Sequence, residues 1–135
     1  MDIFSECHKE RNRMRKMKVL IVDDNVRFGQ FVRELLYSEE GLQIIGDAAD
    51  GVEAIRKAKE LKPDLVLMDI SMPRMNGLDA TRRLKKIMPE LAIIILTIHE
   101  LDEYREAAMA SGASAYVLKK AMMEELIPAV RMILS

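Results

Sequence analysis

The stretch LVLMDISMPRMNG, from Leu65 to Gly77, carries one aspartate, Asp69, directly after a run of apolar residues. An uninterrupted apolar run of this kind is typical of a strand buried on both faces of a parallel sheet. The charge at its end has two interpretations. Asp69 either caps the turn through Pro73, or the strand carries its carboxylate to an exposed edge for chemistry.

Four further apolar runs occur along the chain, and each is followed by a segment with helical periodicity. The runs are KVLIVDD, LQIIGDA, LAIIILT and SAYVLK, at residues 18–24, 42–48, 91–97 and 114–119. Alternating strands and helices with short links and right-handed crossovers predict an α/β fold. We expect a doubly wound, five-stranded parallel sheet of the (βα)5 type, with helices on both faces and an N-terminal extension.

Periodicity and end signals place the five helices. Asp50, with Glu53 three residues later, should cap the second helix, which should end before Pro63. Gly112 should adopt the left-handed conformation beyond the fourth helix. Pro128 should kink or shorten the last helix. The predicted inward-facing residues of the first and last helices are Phe28, Phe31, Val32, Leu35 and Leu36, and Met123, Leu126, Ile127, Val130 and Ile133.

Length and composition favour a single domain with few special requirements. A chain of 135 residues can bury a core of its own. We interpret the polar residues 1–16 as an N-terminal extension and residues 17–135 as the domain. A net charge of −1 favours neither nucleic acid nor a membrane surface as a direct partner. One cysteine and no apolar run of about 20 residues lead us to expect a cytoplasmic location.

Polar side chains follow four of the predicted strands. Ligands of doubly wound sheets bind at the carboxyl ends of the strands. These positions hold Asp23 and Asp24, Asp69, Thr97 and Lys119. Two carboxylates 4 Å apart repel by roughly 4 kcal/mol at an effective dielectric constant of about 20, so the cluster needs protons or a cation to neutralise it. Carboxylate oxygens around a hydrated position suit Mg²⁺.

These side-chain types are the components of a phosphoryl-transfer site. A metal and Lys119 can stabilise the charge on a phosphoryl group, while Asp69 can act as a nucleophile and form an acyl phosphate. The sequence contains neither GxxxxGK[ST] nor GxGxxG. We therefore expect the phosphoryl donor to be another protein or a small acyl phosphate, and not a nucleotide held by this chain.

Residues 18–134 resemble a CheY-like receiver domain of a two-component response regulator. The motifs LIVDD, LVLMDISMPRMNG, IIILT and AYVLK occur in the order and spacing of that family. By this resemblance Asp69 is the phospho-acceptor, and Thr97 and Lys119 bond the phosphoryl oxygens. The metal site consists of Asp24, Asp69, the backbone carbonyl of Ser71, and Asp23 acting mainly through water. The switch pair is Thr97 and Tyr116.

The resemblance implies a phosphorylation-dependent signalling switch that uses Mg²⁺. The donor is a sensor histidine kinase, a phosphotransfer protein or a small acyl phosphate. Phosphorylation remodels the face made by the fourth helix, the fifth strand and the fifth helix, which then controls a partner, a homodimer or a DNA-binding effector. We expect no enzyme activity beyond the protein's own phosphorylation and dephosphorylation.

The C-terminal stretch GASAYVLKKAMMEELIPAVRMIL resembles receivers that precede LuxR-type helix-turn-helix domains, which act in transcription regulation. DNA is therefore expected as a partner only through an effector domain not present in this chain.

Three positions depart from the usual receiver pattern. Lys120 stands where a proline with a cis peptide is usual, and a cis bond without proline costs about 3–4 kcal/mol, which leaves the geometry of that peptide open. Ile98 is bulkier than the usual residue after the switch threonine. Ser71 and His99 supply neither a carboxylate nor an amide to orient incoming water, so we predict a long-lived phosphoryl group.

Two alternative functions remain at this stage. A receiver-like interaction module that is never phosphorylated is the first. The second is an Mg²⁺-dependent phosphatase with an aspartate nucleophile, which requires a second acid two residues after the nucleophile. That position is Ser71, which disfavours the phosphatase.

Overall fold

Five parallel strands form one sheet in the computed structural model, which describes residues 16–134. The strand order is β2-β1-β3-β4-β5. The strands are β1 (Met17–Val22), β2 (Leu42–Ala48), β3 (Leu65–Met68), β4 (Ala92–Thr97) and β5 (Ala115–Leu118). The strand order and the parallel pairing confirm the predicted doubly wound α/β fold.

Five helices cover the two faces of this sheet. They are α1 (Val26–Tyr37), α2 (Gly51–Leu61), α3 (Gly77–Ile87), α4 (Asp102–Ala110) and α5 (Met122–Leu134), with a 3₁₀ turn at Lys119–Ala121 before the last. Alternate residues of β1, β3 and β4 enter two separate apolar clusters. One cluster packs against α2, α3 and α4, and the other against α1 and α5. The central strands are apolar throughout because both of their faces are covered.

The helix ends follow the predicted signals closely. Asp50 caps α2 by accepting a hydrogen bond from the Glu53 amide at 2.8 Å. The helix ends at Leu61, and Lys62 adopts a left-handed backbone with φ of +51° where glycine would be less strained. Gly112 has φ of +105°, as predicted for the residue beyond α4.

Two packing predictions are wrong, and one of the two effects expected of Pro128 is absent. Phe31 is exposed, because it lies about 100° around α1 from Val32, at the edge of the buried stripe. Met123 is exposed and Met122 is buried instead, since the 3₁₀ turn sets the phase at which α5 begins. Pro128 does not shorten α5, which continues as one helix to Leu134. Both Pro128 and Glu124, whose carbonyl the proline cannot bond, are exposed to water.

Residues 16–134 contain no cis peptide bond, so the bond between Lys119 and Lys120 is trans. The predicted extension at residues 1–16 lies outside the described residues except for its last position, and the boundary stays a prediction. No helix within 16–134 combines the length and the apolar character needed to cross a membrane.

Candidate functional site

Three carboxylates meet at the carboxyl edge of the sheet. β1 and β3 are neighbours, and the pairing of Val22 with Met68 puts the residues that follow them side by side. The amide of Asp69 donates to the carbonyl of Val22 at 3.0 Å, which extends this pairing by one residue. One carboxylate oxygen from each of Asp23, Asp24 and Asp69 lies within 4.8 Å of the others. The fold thus brings together the three acids that the sequence singled out.

Lys119 reaches into this acidic cluster from the end of β5. Its Nζ lies 2.8 Å from Oδ2 of Asp23 and 3.6 Å from Oδ2 of Asp69. The same ammonium lies 4.0 Å from the centroid of the Phe28 ring on α1, in cation–π geometry. The lysine is therefore held between two carboxylates and an aromatic face, so its position is restricted.

Asp69 occupies an unfavourable electrostatic environment for a carboxylate. Burial raises its pKa, and the charge of Asp23 raises it further, with a smaller contribution from Asp24. The charge of Lys119 and the hydrogen bond from the Ile70 amide, at 2.8 Å, lower the pKa and offset part of this effect. The site holds more negative charge than Lys119 alone can balance.

The donor chemistry of this cluster fits a hard divalent cation. All of the side-chain ligands that the three carboxylates offer are oxygen atoms. A bound cation would relieve the repulsion between the carboxylates. Mg²⁺ suits such a site, because it binds through a few carboxylates and keeps several waters. Ser71 is exposed in the loop two residues beyond Asp69. Its carbonyl is the predicted fourth protein ligand.

Thr97 and Tyr116 are both buried, and both bond the backbone of His99. Thr97 ends β4, is fully buried, and accepts a hydrogen bond from the His99 amide at 3.4 Å. The Tyr116 hydroxyl donates to the His99 carbonyl at 2.7 Å, and the Arg105 guanidinium lies 4.8 Å from the centroid of its ring. Burial raises the pKa of Tyr116, so its hydroxyl remains protonated and available as a donor.

His99 connects more of the site than its sequence position suggested. Besides its backbone bonds to Thr97 and Tyr116, its Nε2 lies 2.6 Å from the Ser71 hydroxyl oxygen. Its ring stacks on Tyr104 with centroids 4.2 Å apart. The sequence analysis paired Ser71 and His99 as positions beside the incoming water, but it did not predict that their side chains bond each other.

Lys120 also has an unexpected partner, because it forms an ion pair with Glu100. This contact joins the loop after β5 to the loop after β4. The Phe28 contact to Lys119 was likewise missed, since the helical stripe of α1 marked that ring only as a core residue.

The comparisons with known proteins agree with this geometry. A family model described as the response regulator receiver domain matches residues 19–131. The chain is 39% identical over 117 residues to the response regulator GacA of Pseudomonas aeruginosa, covering 87% of this chain and 55% of that protein. It is 34% identical over 118 residues to the transcriptional regulatory protein DegU of Brevibacillus brevis, covering 87% and 50%. The chain spans about half the length of these curated relatives.

Solved structures show the same similarity. A LuxR-family two-component response regulator from Aurantimonas sp. SI85-9A1 aligns with a TM-score of 0.84 and 33% identity, over 88% of this chain and 85% of that chain. The response regulator domain of Thermotoga maritima CheB aligns with a TM-score of 0.83 and 29% identity, over 89% and 97%. The predicted resemblance to CheY-like receivers, and to LuxR-family receivers among them, is confirmed.

Receiver domains bind Mg²⁺ at an acidic pocket, and the cluster of three aspartates provides such a pocket here. The family model covers most of the chain. This protein therefore belongs to the response regulator receiver family, and residues 19–131 are a two-component receiver domain that works as a phosphorylation-dependent signalling switch.

Proposed function

We propose that Asp69 is the residue that accepts the phosphoryl group. The observation that supports this assignment is the position of its carboxylate, which is buried, lies within 4.8 Å of oxygens of Asp23 and Asp24, and has the Lys119 ammonium 3.6 Å away. A carboxylate kept among like charges is poorly stabilised as a structural group. It is suited to act as a nucleophile toward an electrophilic phosphorus atom.

The reaction is a single displacement at phosphorus. An ionised carboxylate oxygen of Asp69 attacks, and a new P–O bond forms while the bond from phosphorus to the donor nitrogen or oxygen breaks. The donor atom keeps the electron pair of the broken bond. Lys119 pairs with the incoming phosphoryl oxygens, and the Thr97 hydroxyl donates to one of them once its side chain turns toward the site.

Mg²⁺ would be held by Asp24 and Asp69, by Asp23 through water, and by the Ser71 carbonyl. When bound, it supplies positive charge that offsets the charge on the transferred group. The protein's own part is to fix the acceptor oxygen and to keep Lys119 within reach. Asp23 and Phe28 hold the lysine there.

The signal leaves the site through His99. Phosphorylation adds about two negative charges and three acceptor oxygens at Asp69. If Thr97 bonds a phosphoryl oxygen, its contact with the His99 amide is lost, and the His99 carbonyl moves with the Tyr116 hydroxyl bonded to it. Tyr116 lies on β5 and so belongs to the face formed by α4, β5 and α5. A change there would alter binding of a partner, a second copy of the chain or an attached DNA-binding effector.

The phosphoryl group should be long-lived. The Ser71 hydroxyl and the His99 ring bond each other at 2.6 Å beside Asp69. Neither side chain supplies a carboxylate or an amide to orient a water molecule for attack on the phosphorus atom. A half-life of minutes or less for the phosphorylated protein, in buffer without a phosphatase, would contradict this prediction.

The test is phosphorylation by a small donor. The protein is incubated with Mg²⁺ and acetyl phosphate, and its intact mass is compared with that of Asp69→Asn treated in the same way. We expect wild-type protein to gain one phosphoryl group, the variant to gain none, and chelation of Mg²⁺ with EDTA to prevent the gain. Tandem mass spectrometry after reductive trapping of the acyl phosphate would then identify the modified residue.

The other outcomes identify the alternatives. If neither protein gains mass, including with a cognate histidine kinase as donor, the chain is an interaction module. Turnover of added phosphoesters would indicate a phosphatase instead. A gain of mass that survives Asp69→Asn would assign the acceptor to another residue.

A further inference from the structure

The loop that follows the proposed acceptor, residues 71–76, is fixed tightly at its base. The Gly77 amide donates to the Ile70 carbonyl at 2.7 Å, which closes the loop. A Cβ atom at Gly77 would lie 1.8 Å from the Asp69 carbonyl oxygen, so only glycine allows the two backbones to approach this closely. The base of the loop therefore cannot drift away from Asp69.

The tip of the same loop is attached to the N-terminus of α2. The Nε and Nη2 atoms of Arg74 lie 2.8 and 2.7 Å from Oδ2 of Asp50. Beside this fork, the Gly51 amide donates to the Met75 carbonyl at 3.0 Å. A Cβ at Gly51 would lie 2.6 Å from that carbonyl oxygen, so helix and loop are in direct backbone contact.

The two carboxylate oxygens of Asp50 bond different groups. Oδ1 accepts from the Glu53 amide and caps α2, while Oδ2 accepts from Arg74. The Asp50 side chain is buried, whereas the Arg74 side chain is 61% exposed. Loss of the arginine would leave the helix cap in place, so its effect should fall on the loop and little on the stability of α2.

The backbone of Arg74 is in a conformation that is strained for a residue other than glycine. Its φ of +63° lies in the left-handed region, which disfavours every residue with a Cβ atom. The ion pair with Asp50 holds the side chain of this residue at the loop tip. Without it, the tip would be free to relax toward a negative φ and carry the adjacent residues with it.

We propose that Arg74 and Asp50 form a clamp that positions the metal-binding loop of the phosphoryl-transfer site. Ser71, whose carbonyl is the proposed metal ligand, lies between the fixed base and the clamped tip. The clamp keeps that carbonyl oriented toward the carboxylate cluster, so it sets the affinity for Mg²⁺ and the Mg²⁺ dependence of phosphorylation. Arg74 is a positioning residue, and this role rests on the proposed function of Asp69 and the metal ligands.

The experiment compares Arg74→Ala, Arg74→Lys and Asp50→Asn with wild-type protein. Asp50→Asn keeps a capping oxygen for α2 but removes the charge that binds Arg74. Arg82→Ala is the matched control, because Arg82 is an exposed arginine paired at 2.9 Å with Asp79 on α3, away from the loop tip. Mg²⁺ binding is measured by isothermal titration calorimetry, and the rate of phosphorylation by acetyl phosphate is measured across Mg²⁺ concentrations.

We expect Arg74→Ala and Asp50→Asn to weaken Mg²⁺ binding about 3–10-fold, less than the 10–100-fold typical of groups that bond a metal ligand directly. Phosphorylation should slow at low Mg²⁺ and recover at saturating Mg²⁺, since the clamp does not touch the reacting atoms. Arg74→Lys should be intermediate because it keeps the charge but not the fork. Arg82→Ala should match wild-type protein.

Mg²⁺ affinities of Arg74→Ala and Asp50→Asn equal to that of Arg82→Ala would overturn the clamp. A phosphorylation defect that persists at saturating Mg²⁺ would also overturn it, because a loop-positioning role acts through the metal. If wild-type protein binds Mg²⁺ but gains no phosphoryl group, the proposed function fails while the calorimetry still decides on the clamp. A wild-type protein that binds no Mg²⁺ overturns both.

Discussion

Asp50 follows β2 and Asp69 follows β3, and the two residues are almost equally buried, with 6% and 7% of their surfaces exposed. Their electrostatic environments are nevertheless opposite. The hydrogen bond from the Glu53 amide, helped by Arg74, lowers the pKa of Asp50. Burial and the charge of Asp23 raise the pKa of Asp69.

The difference shows that burial alone does not determine what a carboxylate does. Asp50 finds a donor for each of its oxygens, so its charge is stabilised and it contributes to the fold. Asp69 has the Ile70 amide and a more distant ammonium, but it shares its surroundings with two other acids. Its charge costs stability, and such a cost is characteristic of groups kept for chemistry.

The largest expected effect is that of Asp69→Asn. It should abolish phosphorylation, a loss of more than about 100-fold, since an amide is not a competent nucleophile. It should also stabilise the protein by about 0.5–2 kcal/mol, because it removes a charge that burial and Asp23 disfavour. Urea unfolding at pH 7 measures the second effect, and a variant less stable than wild-type protein would contradict it.

The reverse result is expected at Asp50. Asp50→Ala should destabilise the protein by about 1–2 kcal/mol, because α2 loses its N-cap and Arg74 loses its partner. Asp50→Asn should lose less, as the side-chain oxygen can still accept from the Glu53 amide. Equal unfolding midpoints for Asp50→Ala and wild-type protein would show that this cap contributes nothing.

Acidification should change the contributions of the two aspartates to stability in opposite directions. Asp50 has a lowered pKa when folded, so its contribution is present above the ordinary value of 3.8 and is lost as the pH falls through the folded value. Asp69 has a raised pKa, so its cost is present at neutral pH and disappears on acidification. The measurement is urea unfolding of wild-type protein, Asp50→Asn and Asp69→Asn at intervals from neutral to acidic pH.

As the pH falls, the free energy of unfolding of each variant should approach that of wild-type protein. Asp69→Asn should approach it from a higher value and Asp50→Asn from a lower one. Asp69→Asn should begin to converge at a higher pH than Asp50→Asn does. Parallel curves for all three proteins would mean that neither carboxyl group titrates differently in the folded and unfolded states.

The smallest effect is expected at Thr81, a third buried polar residue. Within residues 16–134 its hydroxyl has no hydrogen-bond partner, and it lies on the inner face of α3. Thr81→Val replaces an unsatisfied hydroxyl with a methyl group of similar size, so it should stabilise the protein by about 0.5–1 kcal/mol without changing phosphorylation. Thermal unfolding measures this, and destabilisation would indicate that the hydroxyl has a partner such as bound water.

The sequence was sufficient for the fold because strand pattern and helix signals agreed along the chain. It also identified Asp23, Asp24, Asp69 and Lys119, since the carboxyl ends of parallel strands must meet at one edge. The same rule identified Thr97 at the end of β4, and motif resemblance added Tyr116; both residues bond the backbone of His99.

The sequence could not predict two kinds of feature: which residues of α5 face the core, and which side chains of different loops bond each other. The 3₁₀ turn before α5 exchanged Met122 for Met123 in the core, and no residue pattern marks such a turn. The bonds of Arg74 to Asp50 and of Ser71 to His99 join residues 24 and 28 positions apart. Their formation depends on loop conformations, one of them left-handed at a non-glycine residue, that local propensity argues against.

The bond between Lys119 and Asp23 joins residues 96 positions apart, and it has a consequence during synthesis of the protein. A nascent chain already carries Asp23, Asp24 and Asp69 long before β5 leaves the ribosome. Until β5 adds to the sheet, these acids have no ammonium beside them and no fixed edge to occupy. On the proposed role of Lys119, competence to receive the signal therefore arrives only with the final strand.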